Sequence, residues 1–232
     1  VLTRGADRKE RGLSVLYVSP LKALINDQFR RLDQLAERLE IDTVRWHGDA
    51  PQSAKQRTRR NPRGIALITP ESIEAMLIRR PGDAKTMLGS LDFIVIDELH
   101  AFLNGPRGLH LASLLRRIDL MSERPARRIG LSATIGDLNV AARWLNALHP
   151  ESVSIVESAV ESPERLLQVT AYCDPEEIED ADNLESEEQP VALDLIADHM
   201  FATLRGSNNL VFAGSRKRVE SLADRLRTRS EK

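Results

Sequence analysis

Apolar residues in this chain alternate between two patterns. SVLYVS, TVRW, GIALIT, FIVID and RIGLSAT are short, dense apolar runs, whereas LKALINDQFRRLDQLAERLE, PESIEAMLIRR, LHLASLLRRIDLM and DLNVAARWLNAL repeat at helical spacing. Alternation of this kind predicts an α/β fold: a parallel sheet whose crossovers are helices. In the first long helix, Leu21, Leu24, Ile25, Leu32, Leu35, Ala36 and Leu39 are expected to form one buried stripe. Ser19-Pro20 and Thr69-Pro70 read as helix starts, with a hydroxyl to cap free amides and a proline at the first helical position. Both follow strands directly, so SPLKAL, TPES, DELH and SAT are expected along the carboxyl edge of the sheet, where ligands of such folds bind.

Beyond Pro150 the pattern changes. RLLQVTAYC predicts a strand, residues 174–190 an acidic loop, VALDLIADHMFATLR a helix, and NNLVFAGSRKRVESLADRLR a strand, a turn and a basic helix. The expected organisation is one domain over residues 1–157 and the beginning of a second over 158–232. Charge divides the same way: residues 1–150 hold 24 Lys and Arg against 17 Asp and Glu, and residues 151–232 hold 9 against 18. The basic excess of the first part permits a polyanionic partner without requiring one.

With 41% hydrophobic residues the chain is globular. It contains no apolar run near the roughly 18 residues of a membrane span, and its charged opening is unlike a signal peptide, so a cytoplasmic setting without membrane attachment is expected. The single Cys173 rules out an internal disulfide and a cysteine zinc site, and the five histidines lack paired ligand spacing, so no structural metal is expected. The lone thiol is expected in the core.

FIVIDELH carries the chemistry. A buried aliphatic strand would present Asp97 and Glu98 at a fixed point of the rim, where a nucleotide's magnesium needs oxygen ligands. Asp97 would then hold Mg²⁺, usually through water, and Glu98 would orient and deprotonate the water attacking the terminal phosphate of ATP. Taken alone, the acid pair fits a solvated strand end equally well. His100 and the SAT of Ser132, Ala133 and Thr134, at the next strand end, permit a histidine-to-hydroxyl network, although each residue singly fits a structural histidine or a helix cap. Arg107-Gly108 is read as a turn more readily than as a phosphate contact. Trp46 fits packing better than base stacking, and Trp144 is core.

DELH, SAT, SPLKALINDQ, TPES and LVFAGSRKRVE stand in the order of motifs II, III, Ia, Ib and IV of superfamily 2 helicases, and the chain resembles that DEAD/DEAH-box (DExH) family from Leu13 to Arg227. With the HGD turn at His47 to Asp49, it is most similar to large helicase-related (Lhr-like) proteins. The resemblance implies a RecA-like P-loop NTPase domain with the start of a second, ATP and Mg²⁺ as ligands, and a nucleic-acid strand as partner, DNA before RNA. It implies catalytic roles for Asp97, Glu98 and His100, with Asp97 and Glu98 at the metal. Ser132, Ala133 and Thr134 would couple nucleotide state to the strand and to the second domain. Ser19, Pro20, Lys22, Thr69, Pro70, Glu71 and Ser72 would hold the sugar-phosphate backbone, with Ser215 and Arg216 gripping from the second domain. With only 4% aromatic residues, grip is expected to be electrostatic and salt-sensitive.

No GxxxxGK[ST] occurs in the sequence. The resemblance places that phosphate loop before Val1, and an arginine-finger helix after Lys232, so both termini are expected to be cuts and the fragment alone nearly inert as an ATPase. The alternatives are a non-catalytic nucleic-acid-binding module, which the intact acid pair argues against, and the motor of a restriction or defence nuclease.

Overall fold

A computed structural model describes residues 12–157, 166–173 and 191–231. The chain divides into two compact units, Val1–Ser158 and Ala159–Lys232. In the first unit five parallel strands, β1 (Val15–Val18), β2 (Thr43–Trp46), β3 (Ile65–Ile68), β4 (Phe93–Ile96) and β5 (Arg127–Gly130), lie in the order β2-β3-β1-β4-β5. Each is an expected run. β1 and β3 are buried along their whole length, which is why both read as unbroken apolar runs.

Helices α1 (Lys22–Arg38), α2 (Gln52–Arg60), α3 (Pro70–Arg79), α4 (Pro81–Leu88), α5 (Gly105–Met121) and α6 (Leu138–Leu145) flank the sheet, with short 3₁₀ turns at Leu99–Phe102 and Pro150–Ser152. On one face Leu16, Val18, Ala66, Ile68, Ile94 and Ile96 pack with the apolar sides of α3, α4 and α5. On the other, Val15, Tyr17, Ile65 and Leu67 meet Ile25, Phe29 and Leu32 of α1. Trp46 is buried in the first of these clusters under the Arg59 guanidinium and Trp144 is partly buried against it, so both tryptophans are packing residues.

The stripe expected on α1 is narrower than its leucines imply. At 100° per residue, Ile25, Phe29, Leu32 and Ala36 fall on one line, whereas Leu35 lies well off it, and Leu21 and Leu39 are the residues flanking the helix. Leu21, Leu35 and Leu39 are accordingly exposed. Two helices were not legible. α2 has little apolar sequence and buries the stem of Lys55 instead, and Pro81-Gly82 reads as a turn although proline is seated at the first position of α4.

Among its described residues the second unit forms α7 (Val191–Leu204) and α8 (Arg216–Ser230), stitched by Arg225 to Asp194 at 3.0 Å and Arg229 to Asp194 at 3.2 Å. The strands expected in RLLQVTAYC and NNLVFAG are not formed over residues 166–173 and 208–213. A strand needs a partner ladder, and Leu166, Leu167, Val169, Leu210 and Phe212 are instead exposed. Cys173 is exposed as well, contrary to the core position expected of it. The acidic stretch 174–190 lies outside the described residues. Among those described, no helix is long and apolar enough to cross a membrane.

Candidate functional site

Register builds the rim. Val18 stands level with Ile68 and Ile96, Ile68 with Trp46, and Ile96 with Gly130. The residues one step on, His47, Thr69, Ser19, Asp97 and Leu131, therefore form a single row across the carboxyl edge. Ladder bonds continue into that row: Ser19 N donates to Ile68 O at 3.1 Å, Asp97 N to Val18 O at 2.8 Å and Leu131 N to Ile96 O at 2.8 Å.

Asp97 is fixed from three directions. Its Oδ1 accepts from Glu98 N at 3.1 Å, its Oδ2 lies 3.4 Å from the fully buried Ser19 hydroxyl, and its backbone is held by β1. Tyr17 lies behind it. Burial first, then the charge of Asp97, pushes the Tyr17 phenol well above its ordinary range, so it keeps its proton beside the carboxylate. Nothing in the sequence points to this, because a tyrosine within a strand reads as packing.

Glu98 is left-handed, at φ 49° and ψ 49°, a conformation that costs a non-glycine residue about 1–2 kcal/mol. The turn carries the chain from β4 into the 3₁₀ turn, burying Leu99 and Phe102 while leaving Glu98 and His100 at the surface. His100 Nδ1 lies 3.0 Å from Ser132 Oγ and 3.3 Å from Glu98 Oε2, and Ser132 Oγ donates to the Thr134 carbonyl at 3.0 Å. A serine hydroxyl has one proton, so with that proton directed at Thr134, His100 Nδ1 must carry its own and share it between Ser132 and Glu98. Leu99 N to Leu131 O at 2.8 Å closes the same link through the backbone. Ala133 and Thr134 are exposed beyond it. Neither Ser132 nor Thr134 caps α6; Asp137 does, accepting from Asn139 N at 2.8 Å.

The remaining rim residues divide into seat and surface. Ser19, Pro20, Thr69 and Pro70 are buried. Ser19 is not a helix cap as expected: α1 starts three residues later, behind Leu21, and the Ser19 hydroxyl faces Asp97. Thr69 does precede α3, with Pro70 at its first position, but its hydroxyl pairs with Ser72 Oγ at 3.1 Å and makes no cap bond.

Lys22 and Glu71 are exposed, and Ser72 is half-buried with its hydroxyl on Thr69. Lys22 Nζ is held by Asp49 of the HGD turn at 2.9 Å, a partner the sequence did not single out. That contact holds the Asp49 carboxyl below its ordinary range. His47 beside it is buried, with Nε2 3.2 Å from Asn26 Oδ1, and burial lowers its pKa. Burial also raises Glu71, but the Glu71 amide, Thr69 and Arg107 outweigh it and the carboxyl titrates low. Arg107 and Gly108 lie in the first turns of α5, not in the loop expected for them. In the second unit Ser215 caps α8, accepting from Arg218 N at 3.2 Å, and Arg216 is the exposed first residue of that helix.

The sequence is 32% identical over 239 residues to a Lhr helicase of Mycolicibacterium smegmatis, covering 95% of this chain and 15% of that protein. It is 30% identical over 244 residues to the ATP-dependent helicase Lhr-Core of Methanothermobacter thermautotrophicus, covering 98% and 27%. The structure of Mycobacterium smegmatis helicase Lhr bound to ssDNA and AMP-PNP superposes with a TM-score of 0.65 at 30% identity, over 98% of this chain and 29% of that one. The expected RecA-like α/β architecture is the one shared. The chain thus spans well under a third of the length of these relatives. The model of the DEAD/DEAH box helicase family matches residues 1–142, more than half of the chain, and the chain belongs to that family.

Proposed function

We propose that the chain is part of the motor of an ATP-dependent helicase or translocase, and that the whole protein couples ATP hydrolysis to movement along, or unwinding of, a nucleic-acid strand. The observation that carries this is the link from Glu98 through His100 to Ser132, set beside Asp97 on one sheet edge. A strand end needed only for solubility has no reason to hold an acid in a strained backbone conformation and tie it to the neighbouring strand end.

The two carboxylates fit magnesium. No third acid or histidine completes a ligand cluster among the described residues. That suits an ion which keeps several waters and takes its other ligands from phosphate. Asp97 would hold it through water, with Glu98 nearby. The ion would supply charge neutralisation at the phosphate oxygens. Glu98 accepts a proton from the attacking water, the water oxygen bonds to the terminal phosphorus, and the bond to the departing ADP breaks. His100 and Ser132, with Ala133 and Thr134, sense which species is bound.

Lys22, Glu71 and Ser72 face the strand from seats formed by Ser19, Pro20, Thr69 and Pro70. Ser215 and Arg216 meet it from the second unit. DNA is favoured over RNA, because the similar Lhr structure holds ssDNA. The test is steady-state ATP hydrolysis by the full-length protein with and without single-stranded DNA or RNA. Stimulation by DNA, lost in Glu98→Gln, is expected; absent stimulation, or activity that survives Glu98→Gln, refutes the reading.

A further inference from the structure

Arg107 belongs to none of the rim motifs, yet it touches two of them and the ring of Phe102, two residues past a third. Its Nη2 donates to the Pro20 carbonyl at 2.5 Å and to Glu71 Oε1 at 3.1 Å, and its guanidinium carbon lies 5.7 Å from the centroid of the Phe102 ring. Phe102 is fully buried and ends the 3₁₀ turn that begins at Leu99, beside Glu98 and His100. Pro20 follows Ser19, whose hydroxyl faces Asp97. Glu71 lies in the first turn of α3. One guanidinium thus sits where the acid pair's two neighbours meet the first turn of the next rim helix.

Gly108 fixes this placement. A Cβ there would stand 2.0 Å from the Phe102 carbonyl oxygen, so α5 lies directly on the backbone of the 3₁₀ turn and carries Arg107 with it. A planar fork of donors can serve a carbonyl and a carboxylate while its face rests on a ring; a lysine ammonium has no such face.

We infer that Arg107 is a positioning residue that ties two parts of the rim, the chain at Pro20 and the first turn of α3 at Glu71, to the acid turn, so that nucleotide state changes the rim's grip on a strand. The inference rests on the motor reading above. A displacement of Asp97 or of the 3₁₀ turn reaches Pro20 and Phe102, and Arg107 passes it to Glu71, the side chain that faces outward.

The test is strand affinity of the full-length protein, measured by anisotropy of a labelled single-stranded DNA with and without AMP-PNP. Coupling of this kind is ordinarily on the order of tenfold in affinity. Arg107→Ala is expected to bring the ratio of the two affinities to about one, and Arg107→Lys is expected not to restore it. A merely structural role would lower both affinities by one factor and leave the ratio intact, and that result overturns the inference. Glu71→Gln lies at an exposed position, 61% accessible in its side chain, and tests the same contact without endangering the fold. Its effect on the ratio should not add to that of Arg107→Lys, and additive losses overturn the shared contact. A wild type with neither strand-stimulated hydrolysis nor a nucleotide effect on affinity overturns the motor reading and this inference together. A responsive wild type with responsive variants overturns this inference alone.

Discussion

Gly108→Ala sets two physical effects against each other. Helix propensity predicts a gain of about 1 kcal/mol, because Gly108 sits inside α5. Packing predicts the opposite. The new methyl would stand 2.0 Å from Phe102 O and 2.9 Å from Phe102 C, where ordinary contact begins at 3.4 Å. The obstacle is backbone, so no rotamer relieves it. Either α5 or the 3₁₀ turn must retreat by about an ångström, and that turn anchors the buried Leu99 and Phe102. Overpacking of this sort costs roughly 1–3 kcal/mol and here falls at the upper end, leaving a net loss of about 1–2 kcal/mol and a Tm lower by roughly 2–8 °C. Gly82→Ala in α4 is the control, since a Cβ there meets nothing within 4 Å; the same propensity should raise Tm by roughly 2–4 °C. The chain's two tryptophans, Trp46 and Trp144, both belong to the first unit, so their fluorescence during thermal unfolding reports that unit alone. A Gly108→Ala protein that melts at or above wild type refutes the reasoning, because propensity would then have outweighed the contact on which the placement of Arg107 depends.

Two further outcomes follow from the rim. In the full-length protein, Lys22→Ala should weaken strand binding and reduce the slope of log affinity against log salt by about 0.7, whereas Asp49→Asn, by releasing the ammonium, should strengthen binding; an unchanged slope in Lys22→Ala takes Lys22 out of the strand contact. Burial lowers the pKa of His47, so the unfolded chain binds its proton more readily than the native one. Stability from this residue is fully present above about pH 6.5 and is lost as pH falls toward the lower native value, so the drop in Tm between pH 7.5 and 5.5 should be smaller in His47→Gln than in wild type. Equal drops would mean that His47 does not carry it.

The strands were legible because a parallel sheet buried on both faces demands continuous apolar runs, and GIALIT and FIVID have no other use. The rim followed from the same logic, since residues just past such runs share an edge. Detail failed where polar residues pack or apolar ones do not. Lys55 lies buried with its ammonium on the His47 carbonyl at 2.6 Å, which no hydrophobic pattern reveals, and α2 went unseen with it. Leu35 faces water because periodicity, not composition, selects the buried line. Leu210 and Phe212 have strand-like sequence, but among the described residues no strand pairs with them. The pairings of Arg107 and Asp49 could not be read, because their hydrogen-bonding partners lie 36 or more and 27 residues away in sequence.

Why the acids sit where they do is a question about register before it is one about chemistry. β4 is bonded on both sides, to β1 and to β5, and each neighbour extends its ladder one residue past the strand, through Asp97 N to Val18 O and Leu131 N to Ile96 O. A one-residue slip of β4 would turn Ile94 and Ile96 out of the core and move Asp97 out of the row. Hydrophobic burial of those isoleucines therefore sets the position of Asp97 relative to Ser19 and Ser132 far more tightly than the 3.4 Å hydroxyl contact itself. Only after Asp97 does the chain leave the ladder. At Glu98 it accepts left-handed strain and hands the second acid to His100. The first acid is held by the core and the second by the turn, so mutations that loosen the core should displace both, while mutations in the turn should disturb Glu98 and leave Asp97 in its row.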